Sequence, residues 1–152
     1  MVEVNTGTVI AYFITPKKVG DAEMILPLLD LATSAGYRFG RVLADGGYDS
    51  YDVWNGMEER AVPFFCNVRS NAKASFSKCP SRAKAVRRIE EIGKKAWCKE
   101  VWYGIRWLVE VAFSSLKRMF GECVSARTAR RMRAEMSAKI RSYNEYKLEC
   151  FS

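Results

Sequence analysis

The sequence predicts an α/β fold with a mixed sheet, and two observations carry this prediction. Short segments rich in branched and aromatic residues alternate with longer segments in which apolar residues recur every three or four positions. Alternating segments of this kind are typical of a sheet covered by helices. The chain has 152 residues, nearly half of them apolar, which is enough for one globular domain spanning residues 1–152.

Four short segments of branched and aromatic residues predict strands. The first two flank a turn-forming Asn5 and Gly7, which predicts a β-hairpin that Pro16 ends. The other two are almost entirely apolar, as expected of buried strands. In chain order, the predicted strands cover residues 2–4, 9–15, 41–44 and 63–68.

Five longer segments predict helices from their apolar spacing and their end signals. Asp21 is placed to cap the first helix and Gly36 to stop it, while Asp49 or Ser50 can cap the second. The third helix is strongly basic and belongs to an insert at residues 69–97, and the fifth belongs to a basic C-terminal segment at residues 122–152. The predicted helices cover residues 22–35, 50–60, 82–95, 102–121 and 128–146.

The chain is strongly basic, with a net charge of +8 and a pI near 9.4. This charge favours a polyanionic partner, and we expect DNA, although an ordinary protein surface or an anionic membrane surface would also suit it. Between residues 117 and 141, eight Lys or Arg residues stand against two acids. We expect this region to face phosphate, with Arg130, Arg131 and Arg133 as binding residues.

The residue types exclude several classes of catalytic chemistry. The chain has no histidine, which excludes Ser-His and Cys-His nucleophilic machinery. Hydrolytic chemistry would therefore depend on carboxylates, with divalent metal ions as helpers. The five cysteines are widely spaced and form no Cys-x-x-Cys pair, which favours reduced thiols. With no apolar segment of membrane-spanning length and no signal-peptide pattern, we expect a cytoplasmic protein with no membrane partner.

The predicted helix at residues 102–121 places four polar side chains on one side. Tyr103, Arg106, Glu110 and Lys117 fall within about 60° of one another at 3.6 residues per turn. The alternative interpretation is an ordinary surface helix in which Arg106 and Glu110 form a solvated pair. The opposing apolar face comprises Ile105, Leu108, Val109, Ala112, Phe113, Leu116, Met119 and Phe120.

Asp45 follows a predicted strand and precedes two glycines, Gly46 and Gly47. A carboxylate at a strand end beside glycines is a common way to present a metal ligand, because glycine permits close backbone approach. The alternative is that Asp45 caps the following turn. Three tryptophans near the basic insert can stack on unpaired bases, but we favour core packing for each of them. They are Trp97, Trp102 and Trp107.

Two of these patterns resemble one known family. The spacing Tyr-x2-Arg-x3-Glu-x6-Lys from Tyr103 to Lys117 resembles the signature that ends the catalytic domain of insertion-sequence DDE transposases. Residues 42–50, V-L-A-D-G-G-Y-D-S, resemble the motif that carries the second catalytic acid of that family. Thr15-Pro16 and Asp21 match further positions, and the order of elements resembles an RNase H-like fold after its first strand.

The resemblance implies roles for the marked residues. Asp45 and Glu110 would be catalytic carboxylates that bind Mg²⁺ or Mn²⁺, and Arg106 and Lys117 would contact DNA phosphate or neutralise charge in the transition state. Tyr103 would pack against the strand or contact DNA. The resemblance also implies an RNase H-like domain lacking its first strand, and with it the first catalytic aspartate of the family.

The implied function is that of the C-terminal part of a DNA transposase, which cleaves and transfers DNA strands. Because the first acid is absent, we expect this chain alone to have little activity. Alternatives are a catalytically dead DNA-binding remnant, a regulator of an intact transposase, or another RNase H-like nuclease. The missing strand would leave unpaired edges, so we expect self-association or pairing with an intact transposase, at the bacterial nucleoid.

Overall fold

A computed structural model describes residues 1–16 and 18–150. These residues contain six α-helices and one two-stranded sheet, which confirms the predicted α/β class. None of the helices among them is long and apolar enough to cross a membrane. The strands are Val42–Ala44 (β1) and Phe64–Cys66 (β2), and the helices are Ile25–Ser34 (α1), Tyr51–Glu59 (α2), Pro80–Ile92 (α3), Lys94–Glu100 (α4), Trp107–Phe120 (α5) and Ala129–Glu149 (α6).

The chain divides into two compact units. One unit combines residues 1–15 with the chain from Trp107 onward, and the other covers residues 16–106. We call them the terminal unit and the central unit. The predicted C-terminal segment, residues 122–152, belongs to the terminal unit, and its last two residues lie outside the described part of the chain.

The central unit is built on the parallel pair β1 and β2. Val42, Leu43 and Ala44 pair with Phe64, Phe65 and Cys66, which confirms both predicted strands. A parallel pair needs a crossover connection, and α2 supplies it, beginning after Ser50 as predicted. The largest fully buried side chains of this unit are Trp54, Trp97, Leu29, Met57, Cys66 and Cys79.

The helix predicted at residues 22–35 begins differently from expectation. A 3-10 helix, Asp21–Met24, precedes α1, and its N-cap residue is Gly20, without a side-chain hydrogen bond. The prediction that Asp21 caps the helix is therefore wrong. Pro27 explains the change, because it has no N–H to donate to the carbonyl four residues earlier. Gly36, at a φ of +93°, follows the helix end as predicted.

The basic helix predicted at residues 82–95 is two helices, α3 and α4. Gly93 separates them at a φ of +79°, a backbone conformation that favours glycine and does not continue an α-helix. The prediction that one helix runs through Gly93 is therefore wrong. The last helix, α6, follows the prediction closely, with Thr128 accepting a hydrogen bond from the Arg131 backbone N–H at 3.4 Å.

The predicted hairpin of the terminal unit is only partly present. Val2 and Val9 form an antiparallel bridge, and the Glu3 N–H donates to the Thr8 carbonyl at 2.9 Å. The strand predicted at residues 9–15 does not form beyond this bridge: the pairing reaches Ile10, whose N–H donates to the Met1 carbonyl at 3.1 Å, and the residues after it have no strand partner among the described residues. On its other edge, Val9 bonds the Asn144 side chain of α6 through both its N–H and its carbonyl at 2.8 Å. The predicted mixed sheet is also wrong, because the sheet of residues 1–16 and 18–150 contains only the parallel pair β1 and β2.

The core of the terminal unit lies between α5, α6 and the N-terminal turn. Ala112 and Leu116 of α5 pack with Ile140 and Tyr143 of α6, and the Tyr143 hydroxyl donates to the Gly7 carbonyl at 3.0 Å. The apolar face predicted for the helix at residues 102–121, now α5, is wrong at two positions. The side chains of Phe113 and Met119 are 59% and 43% exposed, because the buried stripe is limited to the part that includes Ala112 and Leu116.

Candidate functional site

Asp45 lies at the carboxyl end of β1, where the central unit presents an exposed carboxylate. Its Oδ1 accepts a hydrogen bond from the Gly47 N–H at 2.8 Å and so caps the 3-10 helix Gly46–Tyr48. Asp45 therefore caps the turn that follows it, as the alternative interpretation predicted. This bond also fixes the direction of the carboxylate at the sheet edge, which is where open α/β sheets bind ligands.

Both glycines after Asp45 stand where a Cβ would make a tight contact. A Cβ on Gly46 would lie 3.0 Å from the Asn67 carbonyl oxygen, at the end of β2. A Cβ on Gly47 would lie 3.0 Å from Oδ1 of Asp45 itself. The Asp-Gly-Gly sequence therefore lets the loop pack against the neighbouring strand end while keeping the carboxylate bonded to the backbone.

Tyr103 holds the end of β1 from a later part of the central unit. Its hydroxyl donates to the carbonyl of Ala44, the residue before Asp45, at 2.9 Å. Burial raises the pKa of Tyr103, so the hydroxyl remains a donor at neutral pH. Of the two roles implied for Tyr103, packing against the strand is the one observed.

We expect Tyr103→Phe to lower the free energy of unfolding by about 1 kcal/mol, because it leaves the Ala44 carbonyl without this donor. Urea denaturation followed by circular dichroism measures the change. Tyr37→Phe is the control, since Tyr37 is 41% exposed. Equal stability of the wild-type chain and Tyr103→Phe would contradict a stabilising role for the hydroxyl.

The four signature residues do not share one regular α-helix. Trp102 has a φ of +59°, a 3-10 helix covers Tyr103–Arg106, and α5 begins only at Trp107. The predicted single helix at residues 102–121 is therefore wrong over its first turn, because the positive φ at Trp102 and the bonding of Tyr103 to β1 impose a different start. Arg106 is half-buried, with its guanidinium 5.8 Å from the Tyr103 ring centre.

Glu110 and Lys117 belong to α5 in the terminal unit. Both side chains are exposed, and seven residues of α-helix place them on the same side. The Lys117 ammonium lies 3.7 Å from the Glu122 carboxylate, and both are largely exposed, so their interaction is weak. The structure thus brings Tyr103 to the strand that bears Asp45, with Arg106 beside the Tyr103 ring, while Glu110 and Lys117 belong to the other unit.

The predicted phosphate-binding arginines lie at the start of α6. Arg130, Arg131 and Arg133 are all exposed within its first two turns. Positive charge near a helix N-terminus opposes the helix dipole, which costs stability in the absence of an anion. Further along, Glu135 pairs with Lys139 at 2.9 Å, and hydrogen bonding to Lys139 and to the backbone N–H groups of Ser125 and Ala126 lowers the pKa of Glu135.

Sequence reasoning missed a buried ion pair four residues after Asp45. The Asp49 carboxylate is fully buried and accepts from Arg82 of α3 at 2.7 and 2.8 Å. Burial alone would raise the pKa of Asp49, but hydrogen bonding to Arg82 and its positive charge outweigh it, so the pKa is lowered. Bonding to Asp49 likewise raises the pKa of Arg82. The one hint of this ion pair in the sequence is Asp49 itself, the second acid in residues 42–50, which was predicted to cap a helix.

Asn67 is a second residue that the sequence analysis did not mark. It follows β2 directly, and its backbone carbonyl is the atom that Gly46 packs against. Its side-chain Oδ1 is buried and has no hydrogen-bond partner among the described residues. A buried polar atom without a hydrogen-bond partner lowers stability.

The three tryptophans differ in burial. Trp97 is 2% exposed and packs against the Phe65 and Tyr103 rings at 6.3 and 5.9 Å, which confirms core packing. Core packing is wrong for Trp102 and Trp107, which are 65% and 54% exposed. Trp102 follows the end of α4 at a positive φ, which turns its side chain out of the central core.

Asp45 is the candidate metal ligand of the central unit, and the described residues form no complete metal site around it. Carboxylate oxygens suit Mg²⁺, and Asp45 presents one at the strand end. No group of three or more His, Cys, Asp or Glu residues is placed to hold a metal ion within residues 1–16 and 18–150. Burial raises the pKa of the Cys66 thiol to about 12, so this nearby cysteine stays protonated and is a poor ligand.

Comparison with known families identifies a match over most of the chain. A family model described as Transposase DDE domain matches residues 1–144. No curated protein and no solved structure matches the chain. The matched range includes Asp45 at the end of β1, Glu110 in α5, and most of α6.

Proposed function

Because this chain belongs to the transposase DDE domain family, we propose that it acts in DNA transposition by metal-dependent cleavage and transfer of DNA strands. Membership implies a transposase-related function and a DNA substrate, and DDE transposases normally use divalent metal ions. The proposal of metal-dependent strand cleavage and transfer is best supported by the Asp45 carboxylate at the carboxyl end of β1. This carboxylate is fixed by a hydrogen bond from the Gly47 N–H and follows Ala44, whose carbonyl accepts from the Tyr103 hydroxyl.

We assign catalytic roles to two carboxylates, Asp45 and Glu110, as ligands of Mg²⁺ or Mn²⁺. The chemistry supplied by such ions is Lewis-acid stabilisation of the attacking and leaving oxygens of a phosphodiester. The chain's own residues hold the metal ligand and the DNA in place. The Gly47 N–H fixes the Asp45 carboxylate, and Arg106 and Lys117 bind DNA phosphate. No group of three acids placed to hold a metal ion occurs among the described residues, so we expect the chain alone to be weakly active and to need an acid from another source.

The first test is nicking of supercoiled plasmid DNA by the full chain with Mg²⁺ or Mn²⁺, resolved on an agarose gel. Asp45→Asn and Glu110→Gln should each reduce the nicking rate by about 100-fold or more, because each removes a charged metal ligand. Asp52→Asn is the matched control, since Asp52 is an exposed acid in the first turn of α2. Nicking that persists at the wild-type rate in both site variants would refute the catalytic proposal.

The second candidate is a DNA-binding remnant or regulator of an intact transposase. Two observations favour it: the described residues hold no cluster of three acids, and Arg130, Arg131 and Arg133 are exposed where the α6 dipole disfavours cations. Under this proposal, bound phosphate offsets that cost. Absence of nicking by the wild-type chain, with intact DNA binding, would favour this candidate over the first.

We expect salt-sensitive DNA binding that weakens when Arg130, Arg131 and Arg133 are changed to Gln. Removing each phosphate-binding side chain should reduce the steepness of log K against log salt by about 0.9. Fluorescence anisotropy with a labelled duplex of about 30 base pairs, titrated at several salt concentrations, measures both the affinity and this slope. Changing Lys94, Lys95 and Lys99 to Gln removes the same charge from α4. If both triple variants lose the same affinity, total charge rather than the α6 surface determines binding.

The proposal extends to the fold and the partners. The order strand, helix, strand, helix of the central unit supports an RNase H-like arrangement. Phe13 and Ile14 are 45% and 39% exposed in a segment without strand pairing among the described residues, which supports pairing with a second copy or with an intact transposase. Action on chromosomal DNA would place the protein in the cytoplasm at the nucleoid.

A further inference from the structure

The Asp49 carboxylate joins three segments of the central unit. Both of its oxygens are used twice: Oδ1 accepts from Arg82 Nε at 2.7 Å and Trp54 Nε1 at 3.1 Å, and Oδ2 accepts from Arg82 Nη2 at 2.8 Å and the Arg69 N–H at 3.3 Å. These donors lie on α2, on α3 and in the loop after β2. A carboxylate with four donors has no lone pair directed to a metal or to DNA. Asp49 is therefore unavailable as a ligand itself.

A short, fully bonded turn connects Asp49 to Asp45. The Tyr48 N–H donates to the Asp45 carbonyl and the Asp49 N–H to the Gly46 carbonyl, both at 3.3 Å. The Gly47 N–H bonds the Asp45 side chain at 2.8 Å. Only three residues separate the two acids and all of them belong to this turn, so we expect a shift of Asp49 to move the Gly47 N–H that orients the Asp45 carboxylate.

A gain in stability alone is a poor explanation for the buried Asp49–Arg82 ion pair. A buried ion pair is often no more stabilising than apolar residues of the same volume, because both charges lose their hydration. What a bidentate pair adds is geometry, since the guanidinium fork fixes distance and orientation together. Arg82 is itself 8% exposed, so the fork is held within the core.

We propose that Asp49 and Arg82 are positioning residues for the Asp45 carboxylate, acting through the Gly46–Tyr48 turn. This inference rests on the proposed function for its catalytic consequence, but its structural part concerns the free protein. Arg82 belongs to the insert helix α3, so the pair makes the geometry of the Asp45 loop depend on the docking of the insert.

The test measures backbone order in the full, metal-free chain by ¹⁵N relaxation. In Asp49→Asn and Arg82→Lys, the order parameter of the Gly47 amide should fall from about 0.85, typical of rigid backbone, to below about 0.6. The amide of Leu29, in the buried part of α1, should keep its value. Arg82→Lys keeps the positive charge and removes only the fork, so it remains informative if Asp49→Asn does not fold.

Asp30 and Arg60 provide a matched control pair. They form a bidentate pair of the same geometry, at 2.7 and 2.9 Å, but their side chains are 54% and 33% exposed. Asp30→Asn and Arg60→Lys should leave the order of Gly47 unchanged. An unchanged Gly47 in both Asp49→Asn and Arg82→Lys, or an equal loss of order at Gly47 and Leu29, would overturn the proposal.

A second measurement links positioning to chemistry. The Mn²⁺ concentration that gives half-maximal plasmid nicking should rise about tenfold in Arg82→Lys, as expected when the support of a metal ligand is lost, and stay constant in Arg60→Lys. If the wild-type chain does not nick DNA, catalysis by this chain alone fails, while the order of Gly47 still decides the positioning role. A constant Mn²⁺ requirement in Arg82→Lys would overturn the catalytic part.

Discussion

Asp49→Asn is expected to lower the free energy of unfolding by about 3–5 kcal/mol, measured by urea denaturation with tryptophan fluorescence. The substitution keeps the size of the side chain but leaves the Arg82 guanidinium buried without its counter-charge. It also removes the charged acceptor for Trp54 Nε1 and the Arg69 N–H. The loss of unfolding free energy is large because none of these donors regains full hydration in the folded protein.

Asp30→Asn should change the same quantity by about 1 kcal/mol or less. The Asp30–Arg60 pair has equal hydrogen-bond geometry but is open to solvent, which screens the charges and replaces the lost bonds. Equal destabilisation by the two substitutions would show that burial does not determine the value of these pairs. A small effect of Asp49→Asn would show that the insert helix is not held by Arg82.

Wild type and Asp49→Asn should also differ in their response to acid. The pKa of Asp49 is lower in the folded protein than in the unfolded chain, where it is about 3.9. Ionised Asp49 therefore contributes fully to the free energy of unfolding above the unfolded pKa, and this contribution is lost as pH falls through the folded pKa. The difference in unfolding free energy between wild type and Asp49→Asn should therefore be constant from about pH 5 to 7. Below about pH 4 it should shrink, and a difference that grows there would contradict the lowered pKa.

Local patterns in the sequence predict most of the central unit. The two short apolar segments form β1 and β2, because residues buried on both faces of a parallel pair are apolar without alternation. Ser50 caps α2 as predicted, because a hydroxyl on an extended residue can accept from the first helical N–H groups. The position of Asp45 at the end of β1 follows from the same patterns.

Tertiary contacts account for what the sequence did not predict. Arg82 belongs to a basic segment, and its burial depends on Asp49, 33 positions earlier. The strand expected after Val9 has no partner strand among the described residues, and Val9 itself bonds the Asn144 side chain, 135 residues away, through both of its backbone groups. Neither contact leaves a periodic signal. Helical spacing alone also cannot show that the segment at Tyr103 begins as a 3-10 helix bonded to β1.

Trp97→Ala is expected to lower the free energy of unfolding by about 3–5 kcal/mol, because it leaves a large cavity in the central core. The indole packs against Phe65 on β2 and against Tyr103, whose hydroxyl holds the end of β1. Loss of the ring therefore removes apolar burial and the surface that supports the tyrosine. Thermal unfolding and urea denaturation should both report the change.

Trp102→Ala is the matched control, five positions along the chain. Its side chain is 65% exposed, so truncation should change stability by about 0.5 kcal/mol or less. Alanine tolerates the positive φ at this position no worse than tryptophan, so backbone strain is equal in the two chains. If Trp102→Ala proved as damaging as Trp97→Ala, the side chain of Trp102 would have to be buried in solution, and the core packing first expected from the sequence would apply to it after all.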